Sequence, residues 1–369
     1  YELTHPPLNG LNPADAGADP DGNGKSALQE YRDTIAPAVL KAAYVDIYAS
    51  GAYAAIPSSG FSAPNIIIFA FADVSLSSMP SILVSSIEKA MSSASAGTLN
   101  LLSLGGEFAD SSTFNSGTVN QIANNVISQI NGFNSTHSTK IGGVDLDLEK
   151  GIDSATITSL AIAFKNAGFI VGAAPQIFIS SGTGANIDSS NPSNLVLTSG
   201  ANSAGIGANV NTYQAALNTG KIDYLFVQTY NSSGFTINNV DESNISFFKN
   251  SALALNNVVR TSCSSTSICI PASTKIVIGT VANKYAGGFT PFMNNATAAD
   301  QQRTLNALLS DINSMVGNPA FSNIGGTMVW SQNMDYAASL YNSGNTAQTP
   351  GAFNTTIFGA LPAPTVSNF

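Results

Sequence analysis

From residue 42 onward the chain alternates short apolar runs with longer amphipathic or polar stretches. The runs lie at 44–49, 65–71, 99–104, 143–148, 169–174, 224–228, 275–279 and 326–330. Their lengths suit strands, and the stretches between them carry helical patterns, for instance at 81–93, 119–130, 154–166, 210–217 and 298–316. Eight strands, each followed by a helix, predict an α/β chain closed as a (β/α)8 TIM barrel. Polar residues gather at the carboxyl ends of the runs, where a barrel builds its site: Ser103, Gly105, Asp147, Glu149, Pro175, Gln176, Gln228, Tyr230 and Trp330. A doubly wound open sheet is the alternative, but no glycine-rich dinucleotide fingerprint follows the first run.

The fourth run is the most informative. Residues 143–149 read Gly-Val-Asp-Leu-Asp-Leu-Glu. Side chains of a strand point alternately to its two faces, so Asp145, Asp147 and Glu149 share one face and Val144, Leu146 and Leu148 the other. Three acids packed together cannot all ionise at ordinary cost, so at least one pKa must rise. A carboxylic acid that keeps its proton near neutral pH is what a general acid needs. The blander alternatives are a metal site or a solvated strand edge. An edge would leave bare like charges side by side opposite a core-facing apolar row.

Composition bounds the remaining possibilities. The 369 residues suffice for one large domain or two medium ones. No apolar run reaches the length of a membrane span. The formal net charge is −9 with no basic run, which argues against nucleic acid as a partner. No charged and apolar leader opens the chain, so any export signal has been removed or lies outside this sequence. Cys263 and Cys269 are the only cysteines. Their spacing among turn-forming residues suits a loop-closing disulfide, with two free thiols as the alternative. A disulfide would place the protein outside the cytoplasm, as a secreted chain. The only histidines are His5, in a Pro-rich segment, and His137, in a polar loop. The chemistry therefore falls to carboxylates, hydroxyls or amides rather than to a histidine triad.

Residues 1–37 are rich in Pro, Gly, Asp and Asn and precede the expected barrel at 38–369. Within them, residues 19–30 match the twelve-position calcium loop. Asp19, Asp21 and Asn23 fill the first three ligand positions. Gly24 supplies the sharp turn, Lys25 a backbone carbonyl and Glu30 the twelfth position. Such a loop would hold one structural calcium ion, whereas a flexible acidic linker is the alternative. It resembles the Asp-rich calcium modules that act as spacers in bacterial secreted proteins. The Gly24-Lys25-Ser26 triplet mimics the end of a phosphate loop, but Asp19 stands where that motif needs glycine.

In order along the chain after residue 42, the runs resemble the family 18 glycoside hydrolases, which include chitinases and endo-β-N-acetylglucosaminidases. Ser103-Leu-Gly-Gly106 is similar to the family's strand-three motif. Gly142-Gly-Val-Asp-Leu-Asp-Leu-Glu149 is similar to its strand-four motif. Ala173-Ala-Pro-Gln176 and Gln228-Thr-Tyr-Asn231 resemble the plant-type branch, and Met328-Val-Trp330-Ser331 the strand-eight motif. One position departs: Gly142 stands where the family has an aspartate. That loss should remove one negative charge from the carboxylate cluster and alter the pH optimum. Residues 279–326 are too few for the small α+β insertion domain of many bacterial members, so the groove should be open.

The resemblance implies a retaining, substrate-assisted hydrolysis of β-1,4-linked N-acetylglucosamine without a catalytic cofactor. Glu149 would be the acid and base, Asp147 the partner of the acetamido N–H, and Tyr230 the donor to its oxygen. Asp145 would tune Asp147 by sharing a proton. Gln228, Asn231, Gln176 and Trp330 would line the subsite, with Tyr48, Phe71 and Phe178 as further aromatic candidates or core residues. Chitin or another N-acetylglucosamine glycan would be the substrate of a monomer. Two alternatives stay open. One is an endo-β-N-acetylglucosaminidase acting on N-glycans, and the other a lectin or glycosidase inhibitor without activity. Asn-x-Ser/Thr sites, such as Asn134, Asn231 and Asn354, would carry glycans only in a eukaryotic secretory route.

If residues 19–30 bind calcium, a chelator should raise protease cleavage of the leader while leaving activity nearly unchanged. The ion should have six to eight oxygen ligands at roughly 2.3–2.6 Å. Proteolysis and calorimetry that ignore calcium would reduce the loop to a linker.

Overall fold

The computed structural model describes residues 39–48, 56–200, 209–264, 266–337 and 349–362. The calcium-loop residues Asp19, Asp21, Asn23, Lys25 and Glu30 and the boundary at residue 37 lie outside the described residues. Eight parallel strands form the centre: β1 (Leu40–Asp46), β2 (Ile66–Ala70), β3 (Leu99–Gly106), β4 (Gly143–Leu148), β5 (Ile170–Ala173), β6 (Tyr224–Gln228), β7 (Lys275–Val281) and β8 (Ile324–Trp330). Each pairs with the next, and β8 returns to β1 with Leu40 opposite Gly326, so the sheet closes into a barrel. The strands are apolar on both faces because side chains fill the inside and helices cover the outside. All of β2, Ile-Ile-Ile-Phe-Ala, is buried.

Among the described residues, seven helices accompany the strands: α1 (Ser81–Met91), α2 (Val119–Thr136), α3 (Ser154–Asn166), α4 (Gln214–Asn218), α5 (Ser246–Asn257), α6 (Ala298–Met315) and α7 (Gln332–Ala337). In α2, Ile122, Val126, Ile130 and Phe133 make one buried stripe at helical spacing. The start of α3 is fixed by the Asp153 side chain, which accepts from the Thr156 N–H at 2.7 Å. A reciprocal Thr297–Asp300 capping box starts α6.

The eight expected strands are all present, but some bounds and helices differ. The first strand runs four residues earlier than the apolar run suggests, taking in Lys41. That lysine is buried because its ammonium reaches the Phe358 carbonyl at 3.3 Å. Among the described residues, only a 3-10 turn (Ser58–Phe61) stands between β1 and β2 where a helix was expected. The helix expected at 210–217 shortens to α4, and α5 appears in a stretch whose mixed aromatic and polar residues masked its periodicity. Cys263 and Cys269 form a disulfide, closing a loop between α5 and β7. Between β7 and β8 lie a loop, α6 and a 3-10 turn (Pro319–Phe321), with no insertion domain.

The carboxyl end of the barrel is built up instead after β5 and β6. Gln176–Ile179 and Leu195–Thr198 pair as an antiparallel hairpin, and Gln176 lies opposite Gln228 of β6. A second pairing, Thr236–Ile237 beside Asn186–Ile187, ties the β6 excursion to the β5 excursion. At the other edge, fully buried Asp335 of α7 accepts from the Phe353 and Asn354 N–H groups, each at 2.9 Å.

Three buried acids give this fold a pH dependence of definite sign. Burial pushes Asp145 up to about 6, Asp335 to about 7 and Glu242 to about 8, from ordinary values of 3.8, 3.8 and 4.5. The native state therefore holds protons that the unfolded chain releases. Their contribution is fully present below the unfolded values and is lost as pH rises through the folded ones. Asp110, Asp188 and Asp300, lowered by neighbouring hydroxyls, act only on the acid side of 3.8. The midpoint of thermal unfolding should fall between pH 5 and pH 9 in calorimetry. A midpoint that rises over that interval would show these acids to be ionised without penalty.

Candidate active site

The acid row of β4 points into the barrel and climbs toward its carboxyl end. Asp145 and Asp147 are buried, and Glu149 stands just past the strand, partly open. The neighbouring strand leaves room for this row by using glycine. Gly105, opposite Asp147, has φ +111°, and a Cβ there would lie 2.1 Å from the Asp147 carbonyl oxygen. Gly106 has φ +80°, and its Cβ would strike the Phe71 ring at 2.4 Å. Both positions therefore require glycine.

Hydroxyls and amides meet the acids from the surrounding strands. Asp145 Oδ2 accepts from the Tyr44 hydroxyl and the Ser103 hydroxyl, both at 2.7 Å. Its Oδ1 has no partner among the described residues. That oxygen lies 3.1 Å from where a Cβ on Gly172 would be, and Phe226 fills the rest of that space. Gln228 Nε2 donates to Asp147 Oδ1 at 2.9 Å and to the Ala174 carbonyl at 3.1 Å, with Glu149 Oε1 at 3.5 Å. Gln176 Nε2 donates to Glu149 Oε2 at 3.2 Å. Beneath Glu149, the buried Tyr213 hydroxyl accepts from the Leu148 N–H at 3.1 Å and faces the Leu146 and Leu148 carbonyls. It thereby fixes the end of β4.

Burial dominates the electrostatics. It raises Asp145 to about 6 despite the hydroxyls of Ser103 and Tyr44, which favour the charged form. Asp147 is pushed well above the carboxylate range, first by burial and then by the charges of Glu149 and Asp145. Glu149 is also raised, chiefly by burial and further by Glu107, with Gln228, Lys150 and Asp147 pulling the other way. Both carboxyls are thus pushed up, chiefly by burial, and Gln228 bridges them, so the pair resists losing both of its protons. Tyr230 is pushed up by burial and by the three acids, and its hydroxyl donates to no protein group among the described residues.

These groups open into a cleft of about 730 Å³. Of the residues expected there, Asp147, Glu149, Gln176, Gln228, Tyr230, Asn231, Trp330, Phe71 and Tyr48 all line it. Trp330 and Phe71 lie nearly parallel with centroids 6.1 Å apart, and Tyr44 closes on Trp330 at 5.6 Å. The Ala70–Phe71 and Trp330–Ser331 peptides bearing these rings are cis. Phe178 does not line the cleft; it packs on Phe235 at 5.1 Å in the core. Asn231 lines it, but its Oδ1 accepts from the Gly288 and Phe289 N–H groups at 2.8 and 3.2 Å, so that oxygen braces a loop.

Further lining residues escaped the sequence reading: Glu107, Phe108, Lys150, Gly288 and Phe289 because they lie on loops without periodicity, and Asp46 because it ends a run read as apolar. Tyr44 escaped because a tyrosine inside an apolar run reads as core. Among the described residues, no group of three His, Cys, Asp or Glu side chains is arranged to hold a metal.

The Gly142 expectation needs correction. Position 142 precedes β4 and shares the parity of Val144, Leu146 and Leu148, not that of the acids. It lies at the opposite end of the barrel, where a Cβ would meet Leu99 Cδ1 at 2.9 Å. A glycine there removes no charge from the cluster. Three of the sequons are also engaged: Asn134 bonds Ile141, Asn231 braces the β7 loop, and Asn354 is buried at 7% exposure.

No protein-family model and no curated protein matches the chain. Among solved structures, it is similar to one assigned as chitinase A of Streptomyces coelicolor, at 18% identity and TM-score 0.53, over 87% of this chain and 98% of that one. A class V chitinase of Pseudomonas fluorescens Pf-5 follows at 12% identity and TM-score 0.49, over 86% and 99% of the two chains. At such identities the first likeness establishes a shared (β/α)8 fold.

Tyr44→Phe isolates one of the two donors to Asp145. The hydrogen bond favours the ionised acid, so its loss should cost about 1.5–3 kcal/mol where Asp145 is charged. The penalty should shrink below about pH 6, where burial leaves that acid protonated. Urea unfolding at pH 8 and pH 5 compares the two. An equal loss at both would mean that Tyr44 acts by packing alone.

Proposed function

We propose that the protein is a retaining glycoside hydrolase cleaving β-1,4-linked N-acetylglucosamine, in chitin or chito-oligosaccharides, by substrate-assisted catalysis. The observation that carries this reading is the geometry of Asp147 and Glu149, joined through Gln228 and set in a cleft beside the Tyr230 hydroxyl. Glu149, nearest the opening, gives its proton to the glycosidic oxygen and later takes one from water. The substrate's acetamido oxygen attacks the anomeric carbon, displacing the leaving sugar and forming a cyclic oxazolinium ion. Water then opens that ring with net retention. Asp147 accepts from the acetamido N–H and balances the positive charge that develops. Tyr230 donates to the acetamido oxygen. Trp330, backed by Phe71, offers the sugar's C–H face an apolar floor.

For the acid to act, Glu149 must carry a proton when the substrate is bound. An N–H donor brought by the substrate favours that state, because it bonds best to an ionised Asp147. The reading needs no cofactor. The Cys263–Cys269 disulfide supports secretion, and among the described residues no helix is long and apolar enough to cross a membrane. We take the enzyme to be monomeric.

Glu149→Gln keeps the shape and removes the proton, so hydrolysis of a chito-oligosaccharide should fall roughly 10²–10⁴-fold while binding survives. On matched oligomers the rate should require an acetylated unit in the −1 subsite. Glucose or glucosamine there brings no acetamido oxygen to attack the anomeric carbon or to accept from Tyr230, which costs about 1–3 kcal/mol for the lost hydrogen bond alone. Cleavage of such units at full rate would sink substrate assistance. Release of glycans from a glycoprotein without action on chitin would redirect the activity to N-glycans. Binding without turnover by the unaltered protein would make it a lectin.

A further inference from the structure

Tyr230 and Asn231 stand on a short turn beyond β6, and the turn is held from both sides. On one side Asn231 N donates to the Phe289 carbonyl at 3.1 Å, while its Oδ1 takes the Gly288 and Phe289 N–H groups. Thr229 reaches the Gly279 carbonyl through its hydroxyl at 2.7 Å. On the other side the partner is a buried acid. Glu242, 1% exposed, receives the Ser232 N–H with Oε1 at 3.1 Å and Oε2 at 2.9 Å. Asn231 between them has φ +63°, a left-handed conformation that a non-glycine residue keeps only when its surroundings hold it.

The placement of an acid here calls for an explanation. A neutral side chain could fill the same space without the desolvation cost of a carboxyl group. Glu242 spends both of its oxygens on a single backbone N–H, two residues past the Tyr230 hydroxyl that the proposed chemistry uses. That N–H is itself buried, since Ser232 is 1% exposed, and without Glu242 it would have no acceptor among the described residues.

We propose that Glu242 is a positioning residue for the reaction: by fixing Ser232 it locks the left-handed turn at Asn231 and so aims the Tyr230 hydroxyl at the substrate's acetamido group. It touches neither substrate nor reacting atoms. The proposal rests on the substrate-assisted reading for its chemical consequence, but its structural half stands without it. Burial keeps the acid protonated to about pH 8, so the form present at neutrality is uncharged and glutamine reproduces it. Glutamine retains one acceptor oxygen for the Ser232 N–H, whereas alanine retains none.

The test compares Glu242→Ala, Glu242→Gln, Tyr230→Phe and the double variant Glu242→Ala/Tyr230→Phe at pH 7. Amide hydrogen exchange in a peptide spanning 229–234 should speed up at least roughly tenfold in Glu242→Ala and stay near the parent rate in Glu242→Gln. On a chito-oligosaccharide, Glu242→Ala should lower kcat roughly 10–10²-fold with KM little changed, the scale expected when a catalytic group is misplaced. Glu242→Gln should restore kcat. In the Tyr230→Phe background, Glu242→Ala should cost almost nothing more, because the hydroxyl it aims is already gone. Unaltered exchange in Glu242→Ala overturns the proposal whether or not the protein hydrolyses anything. Additive losses in the double variant also overturn it, since a merely structural role would add. If the parent shows no turnover but exchange responds as stated, the hydrolase reading fails and the locking of the turn stands.

Discussion

Asp145 has no contact with solvent, and the arrangement of the barrel mouth follows from that burial. Moving a carboxylate out of water costs several kcal/mol unless donors replace the lost hydration. Two hydroxyls do so at one oxygen only, and the other oxygen faces Gly172 and the ring of Phe226. The compensation is incomplete, which is why the acid titrates near 6 rather than near 4. Burial first, and then the charges of Glu149 and Asp145, push Asp147 well above the carboxylate range, and Glu149 is raised as well. One poorly solvated acid at the bottom of the row thus adds to the cost of ionising those above it. The sequence pattern supplies the spacing for this, and the barrel supplies the low dielectric.

Packing the row also requires space that side chains would deny. Gly105, Gly106 and Gly172 are each faced by an acid, a backbone oxygen or an aromatic ring at distances no Cβ could share. These glycines let the rings of Phe71 and Phe226 approach the acids closely and exclude water from around them. Gln228 and Gln176 then enter as neutral donors. A lysine or arginine in either place would hold Asp147 or Glu149 ionised and remove the proton on which the chemistry depends. The choice of amides is therefore a functional constraint as much as a packing one.

The floor of the site was legible in the sequence because strands impose a period. Alternation placed Asp145, Asp147 and Glu149 on one face, and the ends of the apolar runs located Gln176, Gln228, Tyr230 and Trp330. What period does not govern was lost. Tyr44 looks like core by type, and only closure of the barrel brings its hydroxyl to Asp145, 101 residues away. Tyr213 likewise reaches β4 from the N-terminus of a five-residue helix that carries almost no pattern. The Gly142 expectation failed for a related reason. A motif read as a string suggests that neighbours in sequence are neighbours in the cluster, whereas strand parity sends residue 142 to the other face. Asn231 was placed correctly in the cleft, but its amide oxygen serves the backbone of the β7 loop.

The walls of the cleft obey different physics from its floor. Phe108 is 93% exposed and Tyr48 51% exposed, so neither is fixed by packing in the way that Trp330 is by Phe71 and Tyr44. Large apolar rings left in water beside a cleft gain by covering a ligand, and a sugar's C–H face offers apolar area of about the right size. Floor residues are constrained jointly by the barrel, by the acids and by one another, so a change at one disturbs several. Wall residues answer mainly to the ligand and can change without unfolding anything. That asymmetry is compatible with a barrel shape shared with a solved structure at 18% identity. On the proposed function, discrimination between a chitin chain and a branched glycan would then rest on the loops after β1, β3 and β7, where Tyr48, Phe108 and Phe289 stand, and not on the acid row that would cleave either.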